Sequence, residues 1–112
     1  MSLGYTGMCK KVAEDECLVI YSYAGENWND GVKSKSGDCQ LQDGMFTIHK
    51  DDFCEDIERC IQIGIIKIDR ECKNAFCKSG VPCDYIAWRL LRRLYIAYEQ
   101  NGLFSETATF IQ

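Results

Sequence analysis

The chain has one proline and one histidine among 112 residues, and it has no long apolar run. Each scarcity excludes something. A membrane-crossing helix needs about 20 consecutive apolar residues, and none of that length occurs. The lone histidine, His49, leaves nucleophilic catalysis a single imidazole to draw on. It stands beside Lys50, Asp51 and Asp52 at the end of a strand-like run, the setting of a surface or capping residue. G-x-S-x-G, a phosphate-binding glycine loop and H-E-x-x-H are all missing, so neither a catalytic nor a cofactor signature is present. Internal repeats and low-complexity tracts are missing too, as is a charged segment leading into an apolar one of the secretory kind.

What is present suits one folded domain over residues 1–112. Hydrophobic content of 46% and aromatic content of 12% are enough to bury a core, and they argue against disorder. The opening Met1-Ser2-Leu3 reads as an expression remnant. Net charge is −4 but unevenly spread: residues 1–66 carry six Lys/Arg against twelve Asp/Glu, and residues 67–112 carry seven against five. The overall acidity disfavours non-specific binding to nucleic acid or to an anionic membrane.

The stretch from Pro82 to Gly102 organises the rest. Pro82 suits a first helical position, Asp84 the first turn, and Asn101-Gly102 a left-handed C-cap. At helical spacing Cys83, Ile86, Ala87, Leu90, Leu91 and Leu94 form the inward face, continued by Ala97 and Tyr98. Trp88 and Tyr95 widen the apolar arc, while Tyr85 and Ile96 fall among Arg89, Arg92 and Arg93 on the outer face. That is more apolar surface than one contact uses.

Ahead of this helix, residues 8–13 and 17–24 read as a hairpin around Glu14-Asp15-Glu16, with the second strand bulky on both faces and therefore central. Residues 25–38 read as a long loop in which Trp28 either pins the loop to the core or adds to a binding surface. Residues 39–42 and 45–49 flank Asp43-Gly44, a second hairpin. Helical spacing follows over residues 50–63, with Asp52 as N-cap, Phe53, Ile57, Cys60 and Ile61 inward, and Gly64 as stop. Ile65 to Ile68 favours a short strand within a mixed segment that runs to Ser79, and Thr107 to Ile111 favours a closing strand.

Eight cysteines, at 9, 17, 39, 54, 60, 72, 77 and 83, raise the question of disulfides. Cys17, Cys60 and Cys83 fall on inward positions, where a free thiol is a good small core residue. Cys54 and Cys60, six apart on one helix, are too distant to bond. Reduced thiols and a cytoplasmic location follow as the expectation, with a secreted, disulfide-bonded protein as the alternative. Cys72, Cys77 and Cys83 are the only spacing that suggests a metal, but a second ligand pair is missing, so no metal and no cofactor are expected. The carboxylates Asp51, Asp52, Glu55, Asp56 and Glu58 read as a solvated helix start.

These elements predict an α+β fold: an antiparallel sheet of four to five strands, built from two N-terminal hairpins plus a C-terminal strand, with two helices packed on one face. A winged-helix arrangement is the alternative. The predicted function is a non-catalytic protein–protein interaction domain that pairs with itself as a homodimer. Its surface would be Trp88, Tyr95, Ile96, Arg89, Arg92 and Arg93, with Trp28. The alternatives are a nucleic-acid-associated protein using the Arg89/Arg92/Arg93 face, and a cysteine-dependent metal-binding or redox protein.

Overall fold

The computed structural model of the chain describes residues 5–27, 44–72, 80–81 and 83–111. In chain order they form β1 (Tyr5–Glu14), β2 (Leu18–Asn27), β3 (Gly44–His49), α1 (Ile57–Gln62), β4 (Ile66–Arg70), α2 (Tyr85–Asn101) and β5 (Thr107–Ile111). The strands make one antiparallel sheet in the order β4-β3-β2-β1-β5, and both helices pack on one face. This is the α+β arrangement read from the sequence, and it replaces the winged-helix alternative. Of the expected second hairpin only β3 is described, since residues 39–43 lie outside the described residues. In the sheet β3 lies between β2 and β4, the latter being the strand expected near Ile65–Ile68. Gly25 to Asn27, expected to open the long loop, belong to β2; the remainder of that loop, Trp28 included, lies outside the described residues.

β2 is central in the sheet, and every second side chain along it faces the core. Val19, Tyr21 and Tyr23 point into the core with Phe46 and Ile48 of the neighbouring strand, and the ring of Phe46 lies 5.6 Å from that of Tyr21 and 5.4 Å from that of Tyr23. α2 crosses the sheet with Ile86, Ala87, Leu90, Leu91 and Leu94 buried. Two glycines let it come close. Gly7 and Gly25 are paired across β1 and β2, and a Cβ on Gly25 would stand 2.5 Å from Ile86 Cδ1 and 2.8 Å from the Thr6 carbonyl oxygen.

Both ends of α2 are capped, although one is shifted from expectation. Gly102 closes the helix with φ +74°, and its N–H donates to the Tyr98 carbonyl. At the start Asp84 is the N-cap itself rather than a first-turn residue, and the helix begins at Tyr85. The helix expected over residues 50–63 is shorter than its apolar spacing suggests. A single 3-10 turn, Lys50–Asp52, gives way to extended backbone at Phe53, and α1 starts only after Asp56, whose side chain accepts the Arg59 N–H at 3.1 Å. Phe53 causes the break: its ring seats against Tyr95 at 5.3 Å and Phe104 at 5.6 Å, which pulls the chain out of helical geometry. Gly64, at φ +87°, follows the end of α1.

The turn between β1 and β2 is closed by a carboxylate. Asp15 accepts the N–H of Leu18 at 2.7 Å and of Cys17 at 2.8 Å, and these two bonds hold its carboxyl below the usual carboxylate range. Glu14 is held down too, first by Lys11 and then by Lys50. Cys17, expected inside, is consequently exposed on the turn. A depressed folded pKa gives stability that is fully present above the unfolded value, about 4 for a carboxylate, and is lost as pH falls through the folded value. Thermal melts should therefore show a falling midpoint as pH is lowered from 5 to 2.5, and Asp15→Asn should lower the midpoint at pH 5 and flatten the fall.

Candidate interaction surface

The flank of α2 that faces away from the sheet carries six of the residues expected at an interface. Arg89, Arg92, Arg93 and Ile96 recur at helical spacing, which places them along one line. Ile96 is 48% exposed, one of few large apolar side chains among the described residues to be so. Trp88 and Tyr95 are only half-buried, and both rest against the core, so the apolar arc narrows to their outer edges and Ile96. Tyr85 departs from expectation. The helical projection puts it outside, but it is buried: its ring stacks on Trp88 at 6.0 Å, and Arg89 donates to its hydroxyl at 3.1 Å.

Two of the arginines are held against rings. The Arg92 guanidinium lies 5.1 Å from the centre of Trp88, and that of Arg89 lies 5.0 Å from Phe110 and 5.9 Å from Tyr85. Neither Arg92 nor Arg93 makes an ion pair with a carboxylate among the described residues. Stacking fixes the direction of the Arg92 guanidinium without using its N–H groups, which can meet an acidic partner.

Two hollows flank this line. One, of about 440 Å³, is walled by Trp88, Arg89, Arg92, Arg93 and Ile96 and is basic. The other, of about 270 Å³, is walled by Glu55, Ile57, Arg92, Tyr95, Ile96 and Glu99 and has two carboxylates. Arg92 and Ile96 line both and form the ridge between them. Burial and then Glu99 push the Tyr95 hydroxyl above its ordinary range, keeping it a neutral donor in the acidic hollow. The sequence shows Glu55 as part of a solvated acidic run. What it does not show is that Phe53 carries that run across to α2.

The remaining candidates are elsewhere. Trp28 and Cys77 lie outside the described residues. Cys72 is buried beneath the start of α2, its thiol 3.8 Å from Asp84 Oδ2, and Cys83 is half-buried with its sulfur 3.4 Å from the Asp84 carbonyl. Among the described residues no three His, Cys, Asp or Glu side chains are grouped to hold a metal ion. Cys9, Cys17, Cys54 and Cys60 are free thiols. Cys54 and Cys60 overturn the expectation that they cannot meet: with Cys54 ahead of α1 rather than on it, their sulfurs lie 3.4 Å apart. Asp84 is 1% exposed and joins helix to sheet, accepting from the Tyr23 hydroxyl at 2.7 Å and the Ile86 N–H at 3.1 Å. Among the described residues no helix is long and apolar enough to cross a membrane.

No family model, no curated protein and no solved structure matches this chain.

Proposed function

We propose that the chain is a non-catalytic protein–protein interaction domain whose partner is a second copy of itself, docked through the outer flank of α2. The observation that carries this is the charge polarity about Ile96. A basic hollow lies on one side of the ridge and an acidic one on the other. A two-fold axis running along such a ridge exchanges the sides, so the basic hollow of each copy, with Arg89 and Arg93, faces Glu55 and Glu99 of the other. A surface with both signs arranged this way is complementary to itself. Ile96 and the edges of Trp88 and Tyr95 form the apolar centre, and the charges form a rim that sets orientation more than affinity.

Charge exchange tests this. Chains with Arg92→Glu and Arg93→Glu together should be monomeric in light scattering, as should chains with Glu55→Arg and Glu99→Arg, because like charges then meet across the axis. Mixed in equal amounts, the two variants should form a heterodimer. Association of either variant alone as strongly as the wild type would contradict the proposal. So would submicromolar binding of wild type to mixed-sequence RNA or DNA at about 150 mM salt, abolished by Arg89→Ala, Arg92→Ala and Arg93→Ala together; the arginine line would then belong to a nucleic-acid partner.

A further inference from the structure

The sulfurs of Cys54 and Cys60 lie 3.4 Å apart, closer than either lies to any carbonyl oxygen it approaches: Cys54 is 3.8 Å from the Asp56 carbonyl and Cys60 is 3.9 Å from that of Asp52. A disulfide needs about 2.05 Å, so the two sulfurs must close by about 1.4 Å. The backbone holds both residues in place. Cys60 is fixed on the inner face of α1, its N–H donating to the Asp56 carbonyl at 3.1 Å, while Cys54 stands in the extended segment that Phe53 anchors. Access is also graded as such a pair requires, with Cys54 partly open to solvent and Cys60 buried.

We infer that Cys54 and Cys60 are a redox pair, in which Cys54 is oxidised by a hydroperoxide and Cys60 then closes a reversible disulfide. The Cys54 thiolate attacks the outer oxygen of the hydroperoxide and the O–O bond breaks. The sulfur becomes a sulfenic acid, and the leaving oxygen departs as water or an alcohol after taking a proton. The Cys60 thiol gives up its proton as its sulfur attacks that of Cys54. The S–S bond forms and the hydroxyl leaves as water. Two electrons have passed from the pair to the peroxide, and a dithiol returns them by exchange. Burial pushes the Cys60 thiol up, which makes it a poorer first target for the hydroperoxide than its partly exposed partner. Cys9 is inert for the same reason, its thiol pushed up to about 12 by burial.

Trypsin separates the two residues, because Arg59 lies between them and Lys50 and Lys67 bound the pair. The reduced full chain is treated with hydrogen peroxide, its remaining thiols are alkylated, and it is digested and read by mass spectrometry. The expected product is residues 51–59 joined to residues 60–67, lighter by two hydrogens than the two peptides together and parted by dithiothreitol. With Cys60→Ser, a dimedone adduct should accumulate on Cys54, and the wild type should not accumulate it. Cys54 recovered as sulfenic or sulfinic acid while Cys60 is recovered alkylated would overturn the inference. So would the absence of the dimedone adduct in Cys60→Ser.

Discussion

Asp84→Ala should destabilise the chain by about 3 kcal/mol in urea melts, the largest effect of any single polar substitution proposed for this fold. Two losses combine. Removing a helix N-cap costs about 1 kcal/mol, and leaving the buried Tyr23 hydroxyl without its acceptor costs about 1–3 kcal/mol. Burial and the neighbouring Asp84 carboxylate hold the Tyr23 hydroxyl above its ordinary ionisation range, so it remains a donor that needs an acceptor. The hydroxyl in turn accepts the Cys72 N–H at 3.2 Å, so β2, the chain leaving β4 and the start of α2 are tied at one point. Asp84→Asn should lose less, since one amide oxygen can still serve either the cap or the tyrosine. A double-mutant cycle with Tyr23→Phe separates the contributions, and the two substitutions should fall short of additivity by about 1 kcal/mol or more. Full additivity would mean that Asp84 acts on the helix alone.

Ile96→Glu should abolish self-association while leaving the monomer's stability within about 0.5 kcal/mol of wild type. The side chain is 48% exposed in the single chain, so a charge there meets water and strains nothing. Across a two-fold axis the same residue enters twice. Only the exposed half of the isoleucine is left to bury, worth about 0.75–1.5 kcal/mol per copy, so a dimer loses about 1.5–3 kcal/mol, or one to two orders of magnitude in Kd. Two glutamates facing one another add to that. Tyr95→Ala makes a weaker test, because its ring also supports Phe53 and the fold would suffer with the interface. Equal weakening of fold and association by Ile96→Glu would argue that Ile96 is a core residue.

What could be read in the sequence was what depends on near neighbours. β2 declares itself as central by carrying bulk at both odd and even positions, and Gly102 declares the end of α2 through its left-handed cap. Spacing alone also gave the line of arginines with Ile96. The misreadings came where a distant contact overrides local pattern. Phe53 fits a helical stripe, but rings from α2 and from the segment before β5 draw it into extended backbone, and this places Cys54 against Cys60. Tyr85 projects outward yet is covered by Trp88 and Arg89. Asp84 looks like an ordinary first-turn acid until Tyr23 arrives from 61 residues away. The acidic hollow was invisible for the same reason, since Glu55 and Glu99 meet only after α1 packs on α2.

Sedimentation equilibrium of the wild-type chain across micromolar concentrations is the direct test of the α2 flank as a self-complementary interface. A reversible rise from the 12.8 kDa chain to twice that mass is expected, weakened by added salt because the rim is charged. A single 12.8 kDa species at every concentration and salt would contradict it.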